Sequence, residues 1–311
     1  MVLYAIRRFL NLCLTMLIVS MAVFALMHSV PGGPFSYGQQ PLPAYAMQNI
    51  LHKYGLDQPI WRQYLNWIWA ALHGDFGIPF ESPTETVTSL IARAWPVTLR
   101  VGALTIAVAY STGLLLGVVA AVKQNTWIDN LLTFVATLGL TIPNWVIGFI
   151  LITIFAVELR VLPTGGCCAP KQFIMPVMAY AVGPMANIAR FSRASTLEVI
   201  HTEYVTMARA RGLPPWRILA NYILRTALIP LITILGPSIP DILTGSIFIE
   251  STFGLPGLGS YFTTASLHRD YPMIMALVLL VGFLWGFLYL ISDILYTLVD
   301  PRIRLGGSQS S

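Results

Sequence analysis

The chain has 311 residues, of which 56% are hydrophobic and 10% charged, with a mean hydropathy of +0.71; an ordinary soluble domain carries roughly 25% charged residues. That balance excludes a soluble globular protein and leaves an integral membrane protein. The net charge of +5 is scattered at the ends of apolar runs, so the soluble basic face that a nucleic-acid-binding protein needs is absent.

The measure that matters is how many stretches can cross about 30 Å of hydrocarbon. Six qualify: residues 9–30, 101–122, 131–157, 173–189, 226–248 and 273–292. The first follows Arg7 and Arg8 and ends in HSVPGGPF. It is too long for the apolar core of a signal peptide and lacks a small-residue cleavage site, so a retained helix is expected.

Residues 31–100 are too polar to insert and too apolar to be disordered. Tyr45, Met47, Ile50, Leu51 and Tyr54 fall near helical spacing, as do Ile60, Tyr64, Leu65, Ile68, Trp69 and Leu72. With Trp61, Trp67 and Trp69 close by, these read as helices lying along the outer membrane surface or against the spans. A small independent outer domain would need a larger core. Ser82-Pro83-Thr84 is a start signal for another short helix, with Val87, Leu90 and Ile91 on one face.

In the second span Gly113 and Gly117 stand four apart, a pattern that lets helix backbones approach closely in lipid. Pro143 and Asn144 interrupt the third span and predict a kink with an unpaired carbonyl, a group that tends to face protein or a wet cavity. They are candidates for lining a pathway, with simple helix bending as the alternative. Cys13 lies in the first span, and Cys167 and Cys168 are adjacent in the outer loop VLPTGGCCAPK. These leave open two thiols, a local Cys-Cys bridge, pairing with a partner protein or a soft metal.

Residues 203–230 read EYVTMARARGLPPWRILANYILRTALIP, with Arg209, Arg211, Arg217 and Arg225 in a chain otherwise poor in charge. Burying four arginines at the bilayer centre would cost on the order of 10–14 kcal/mol, so the stretch lies outside the hydrocarbon. Gly212 predicts the stop of one short helix, and Pro214-Pro215 the start of another. Topology setting and attraction to anionic headgroups would by themselves account for such a basic loop. Asp241 and Glu250 bracket the outer half of the fifth span; nine residues apart on one helix, they would face opposite ways. Intramembrane acids are functional candidates by default.

GLPGLG at 254–259 lacks the Lys-Ser or Lys-Thr of a phosphate-binding loop. No G-x-x-x-x-G-K-[ST], H-E-x-x-H or G-x-S-x-G occurs, and His28, His52, His73, His201 and His268 form no cluster. A catalytic role, a metal site and a bound cofactor are therefore not expected. With the amino terminus inside, the inner segments carry Arg7, Arg8, Lys123, Arg190, Arg193, Arg209, Arg211, Arg217, Arg225, Arg302 and Arg304, and the short outer loops only Arg160, Lys171 and Arg269. Both termini are thus expected on the cytoplasmic side.

The 203–230 stretch resembles the cytoplasmic EAA loop of bacterial ABC importer permeases in its oligopeptide and dipeptide form. Aligned on Gly212, the general Glu-Ala-Ala falls on Thr206, Met207 and Ala208 and only the last agrees. The peptide-branch pattern of Tyr204, Ala208, Arg209, Ala210, Arg211, Gly212, Leu213 and Leu228-Ile229-Pro230 agrees better. The resemblance, to the B-type subunit, extends through Arg7-Arg8, PGGPF, YGLDQP at 54–59, HGDFG at 73–77, TIPNW, FIESTFGLPGLG at 248–259, RDYP at 269–272 and DPRIR at 300–304.

It implies an all-α integral membrane protein of six transmembrane helices with the type I ABC importer permease fold and an outer helical insertion between the first two. The expected divisions are a first helix over 1–30, the outer segment 31–100, a five-helix core over 101–300 with a coupling loop at about 198–225, and a cytoplasmic tail over 301–311. The implied partners are a second permease in a heterodimer, two ATP-binding subunits that use ATP and Mg, an external binding protein and a peptide substrate, within the lipid of the bacterial inner membrane. Glutathione, nickel chelates, oligosaccharides and peptide antibiotics are alternative substrates, and an ATP-independent secondary transporter is the rival of another class.

Under the resemblance, Glu203, Tyr204, Thr206, Met207, Ala208, Arg209, Ala210, Arg211 and Gly212 couple to the ATPase. Arg209 and Arg211 diverge by about 200° on a helix, so one would face the ATPase and the other headgroups or the second permease. Glu250, Gly254, Gly257 and Gly259 belong to a structural outer loop. Asp241 departs from the small or apolar residue the family pattern places there; it either faces the pathway or pairs with the second permease.

Overall fold

A chain in lipid must satisfy its backbone polar groups internally, and apolar runs of this length do so as helices. In the computed structural model of the chain the described residues are 2–29, 55–228 and 238–299, with side chains described for 6–29, 55–228 and 238–291; every regular element among them is helical. The expected helix through Tyr45 to Tyr54, the PGGPF and DPRIR stretches, Ile229-Pro230 and the tail lie outside these residues.

Helix α1 spans Val2–Ser29, α2 Ile60–Leu72, α3 Val87–Val122, α4 Trp127–Thr141 and α5 Asn144–Leu151, which widens into a π-helical stretch over Ile152–Glu158. Then come α6 Pro170–Ile200, α7 Glu203–Ala210, and α8 Pro215–Arg217 with a second π-helical stretch over Ile218–Leu224. The last are α9 Ser238–Leu243, α10 Ile247–Thr252, α11 Leu258–His268 and α12 Tyr271–Val299.

Among the described residues three helices are long and apolar enough to cross a membrane, Ile6–Ser29, Val87–Val122 and Tyr271–Ile291; Trp127–Thr141 with Asn144–Glu158 makes a fourth if that pair is one span. The break at Pro143 is a bend of 104°, far beyond a helix kink. The fourth expected span lies within α6, which continues past the apolar part through the more polar stretch 190–200. The fifth is not one helix: α9 ends at Leu243, Gly245 has φ +89°, and α10 starts at Ile247. The short helix expected after Ser82-Pro83-Thr84 is not separate from the second span. Helix α3 starts at Val87 and runs through Pro96 without interruption.

The chain divides into two compact units. The first comprises 1–96 and 256–290, and its core joins Val87, Leu90, Ile91 and Ala94 of α3 to Leu258 and Ala265 of α11 and Met273, Ile274 and Leu277 of α12. The side chain of Tyr64 on α2 reaches Ser20 of α1 at 2.8 Å. Gly282 and Gly286 of α12 lie against the ends of the Met16 and Leu12 side chains of α1, which would have to shift to admit a Cβ. The RDYP motif is a connector. Arg269 ends α11 in the left-handed region at φ 54°, and the buried Asp270 caps α12 by accepting the Met273 N–H at 3.2 Å and holds the 79–81 segment through the Glu81 N–H at 3.1 Å.

The second unit comprises 97–255 and 291–311. Its largest core joins Val97 and Val101 of α3, Phe173, Met175, Val177 and Tyr180 of α6, Ile242 of α9, and Ile249, Phe253 and Leu255 of the α10 region. Gly113 and Gly117 lie against the α6 backbone: a Cβ on Gly113 would come within 2.7 Å of the Met185 carbonyl, and one on Gly117 would collide with that of Ala189. The close approach expected from their spacing is therefore made with α6. Cys167 and Cys168 form a disulfide with each other, and Cys13 is a free, exposed thiol. The disulfide loop is tied down next to it, where the Gly166 N–H donates to the Phe253 carbonyl at 2.9 Å.

Candidate functional site

Helix α6 ends at Ile200, and α7 starts after a turn through His201 and Thr202. Helix α7 is short for independent stability, and tertiary packing holds it. Val205 and Ala208 are buried in a cluster with Val199, Ile218, Ile223 and Ala227. These two residues, three apart, define the anchored face. The remaining positions of the helix, Glu203, Tyr204, Thr206, Met207, Arg209 and Ala210, are exposed, as is Arg211 at its end. Tyr204 and Met207, about one turn apart on α7, are exposed, and so is Trp216 on α8; exposed apolar side chains rimmed by polar ones are of the kind that marks protein contacts.

The stop is a Schellman motif. Gly212 adopts φ +74°, its N–H donates to the Arg209 carbonyl at 2.9 Å, and the Leu213 N–H reaches back to the Ala208 carbonyl at 3.4 Å. This pairs two carbonyls that the helix end would leave without partners. Pro214 and Pro215 follow, and Pro215 opens α8 at its first position. The same design recurs after α10. Gly254 at φ +58° donates to Ser251, and the Leu255 N–H donates to the Glu250 carbonyl at 2.9 Å. Both Gly-Leu-Pro triplets are helix stops, so GLPGLG is a stop followed by a start, with Gly257 preceding α11 and Gly259 buried in its first turn.

The expected coupling residues lie on one short helix and its stop, and one of them differs from the rest. Ala208 lies on the anchored side and packs inward, because it falls one turn from Val205 on the face that seats the helix. The remaining coupling residues are exposed or, for Gly212, form the stop.

The pathway candidates are distributed differently. Pro143 and Asn144 form the corner of the bend, and α5, which starts at Asn144, packs through Gly148 against Phe253 and Thr252. Asp241 is exposed on α9, whereas Glu250 is fully buried in the first turn of α10. Asp241 and Glu250 do not share one continuous helix, because the turn at Gly245 intervenes. A Cβ on Gly245 would come within 2.8 Å of Glu250 Oε1 and 2.6 Å of Thr98 Cγ2, so a glycine there lets Glu250 be enclosed. The Tyr180 hydroxyl donates to the Asp241 carbonyl at 3.2 Å, tying α6 to α9.

One residue beside this site escaped sequence reasoning. Asp129, in the first turn of α4, has a nearly enclosed side chain, 3% exposed, and accepts a two-pronged bond from Arg193 of α6, Nε to Oδ1 at 2.6 Å and Nη2 to Oδ2 at 2.7 Å. The available signal was an acid at the edge of an apolar run in a chain with few charges.

Residues 113–305 match the family model described as binding-protein-dependent transport system inner membrane component, and residues 1–102 match its N-terminal companion. The chain belongs to this permease family. Among permease relatives, the dipeptide transport system permease protein DppB of Bacillus subtilis (strain 168) is 37% identical over 302 residues, covering 97% of this chain and 98% of the relative. The oligopeptide transport system permease protein OppB of Salmonella typhimurium is 39% identical over 303 residues, covering 97% and 99%. A solved structure described as an amino acid ABC transporter with histidines aligns with a TM-score of 0.50 at 19% identity, covering 69% of this permease and 94% of that chain. That likeness bears on the fold alone. The permease is therefore a multi-pass membrane subunit of an ABC importer, a role that implies ATP-hydrolysing and substrate-binding partner proteins.

Proposed function

We propose that the permease forms half of a translocation pathway for peptides and receives the stroke of an ATPase through the exposed face of α7. The observation that carries this reading is the two-faced seating of α7, with Val205 and Ala208 fixed in an apolar cluster and Met207, Tyr204 and the arginines free to dock. A helix held on one side and stopped by a fixed turn transmits a push instead of melting under it. The peptide substrate is supported by the names of the dipeptide and oligopeptide relatives. A second permease completes the pathway as a heterodimer, two ATP-binding subunits bind ATP and Mg, and an external binding protein delivers the peptide; this chain holds no cofactor and performs no catalysis. Both termini and α7 lie on the cytoplasmic side of a bacterial inner membrane, in keeping with the distribution of arginines.

The test is a cysteine cross-link from the docking face. Met207→Cys should cross-link to an ATP-binding subunit in the assembled importer, whereas Ala208→Cys should not. Absence of cross-links from every exposed position of α7 would reduce the segment to a basic loop. Substrate class is read from the cognate binding protein, whose melting temperature should rise with short peptides; a rise with sugars alone would remove the peptide claim and leave the importer. For Asp241, exposed on α9, the proposed role is to meet a cationic group of the substrate along the pathway. Asp241→Asn should change the uptake rate or the preference for basic peptides, and unchanged transport would end that assignment.

A further inference from the structure

The inner end of the long helix α6 carries three polar side chains within four positions, and each is bound to a different helix. Ser192 Oγ donates to the Leu114 carbonyl of α3 at 3.3 Å. Arg193 grips Asp129 of α4 with two nitrogens. Ser195 Oγ donates to the Ala227 carbonyl, beyond the second π-helical stretch, at 2.8 Å. Helix α6 then continues without a break to Ile200, and α7 follows its turn. By helical rise Arg193 stands about 10 Å from the end of α6, so the collar sits at the root of the segment that carries α7.

The Arg193–Asp129 pair is the strongest of these ties. A guanidinium fork on a carboxylate fixes orientation as well as distance. The carboxylate is also engaged on its own side, accepting the N–H of Asn125 at 3.1 Å. Asn125 lies in the turn joining α3 to α4 and has φ 61°. One enclosed carboxylate thus holds that turn, the start of α4 and the root of α6. Opening the pair would leave Asp129 charged and without its counter-ion, so separation of these helices is resisted and joint movement is not. Beside it, Gly117 brings α3 against the α6 backbone at Ala189 and Ser192, which leaves α6 little freedom to turn alone.

We infer that the Asp129–Arg193 clamp makes the root of α6 move as one body with α3, α4 and the base of the fifth span, so that a push on α7 reaches the pathway instead of bending α6. This rests on the coupling role proposed for α7. Arg193 and Asp129 are positioning residues that act through α6 without touching substrate or nucleotide.

The test uses the whole importer, with its ATP-binding subunits, second permease and binding protein, reconstituted in vesicles. Peptide uptake and ATP hydrolysis are measured together for Arg193→Lys, which keeps the charge and loses the fork, and for the double variant Asp129→Asn/Arg193→Gln, which removes both charges and leaves neither buried alone. The double variant should assemble in normal yield and hydrolyse ATP, while peptide taken up per ATP falls at least about fivefold. Arg193→Lys should give an intermediate ratio. An unchanged ratio in the double variant would make the pair a purely structural tie and overturn the proposal, and so would failure of both variants to assemble. The Met207→Cys cross-link run in the same preparations separates the two readings. A cross-link that persists while uptake per ATP falls supports the clamp, and a cross-link missing in the parent importer removes the coupling role itself.

Discussion

Asp270 shows how a single side chain can be read only in part from sequence. RDYP stands out as a motif, but its work as a connector depends on Glu81, far away along the chain, whose N–H the carboxylate accepts. Burial pushes this carboxyl above its ordinary range, and the N–H groups of Glu81, Met273 and Phe80 pull it back only partly. A carboxyl whose folded value is raised adds stability below the unfolded value, about 3.9, and that contribution is lost as pH rises through the folded value. Asp270→Asn, which keeps a capping oxygen, should therefore lack this component. Melting of purified protein in detergent between pH 3.5 and neutrality should show the parent losing stability relative to the variant as pH rises; parallel curves would contradict the assignment. Gly212 is the opposite case. Its place after a short helix and before two prolines predicts a left-handed stop, and φ +74° bears that out, because a cap is a local device whose partners all lie within six positions of the chain.

At the scale of elements, α7 gives the sharpest expectation. Ala208→Leu forces extra volume into the cluster of Val205, Ile218 and Ala227 and should cost about 1–3 kcal/mol of stability, seen as a lower melting temperature together with weaker coupling. Ala210→Leu, on the exposed face, should leave the melting temperature within error; equal effects at the two positions would mean that the helix is not seated by that face. The helices were largely legible because apolar runs and Gly-Pro punctuation are local signals. The breaks were less so. Gly245 looks like one more small residue in an apolar run, yet its φ of +89° separates α9 from α10, and Glu250 is packed where a Cβ would have to go. Pro143 announces a bend but not its 104°, and the packing of Gly148 against Phe253 on the far side of that bend joins positions over a hundred residues apart. Asp129 and Arg193 lie 64 residues apart, and no periodicity connects them.

For the whole molecule, composition was the most informative reading, since residues such as Leu14, Ile18 and Met21 of α1 and Phe134 of α4 are exposed on this single chain and need lipid or partner subunits to cover them. The proposed orientation is checked by labelling single cysteines in intact cells with a maleimide that does not cross membranes. Lys171→Cys should react from outside and Met207→Cys only after permeabilisation; the reverse pattern would invert the topology. Because Cys167 and Cys168 are joined to each other, neither competes for the reagent so long as reductant is left out. Cys13 is then the one native thiol to remove, and Cys13→Ser alone provides a silent background for mapping every other position of the permease.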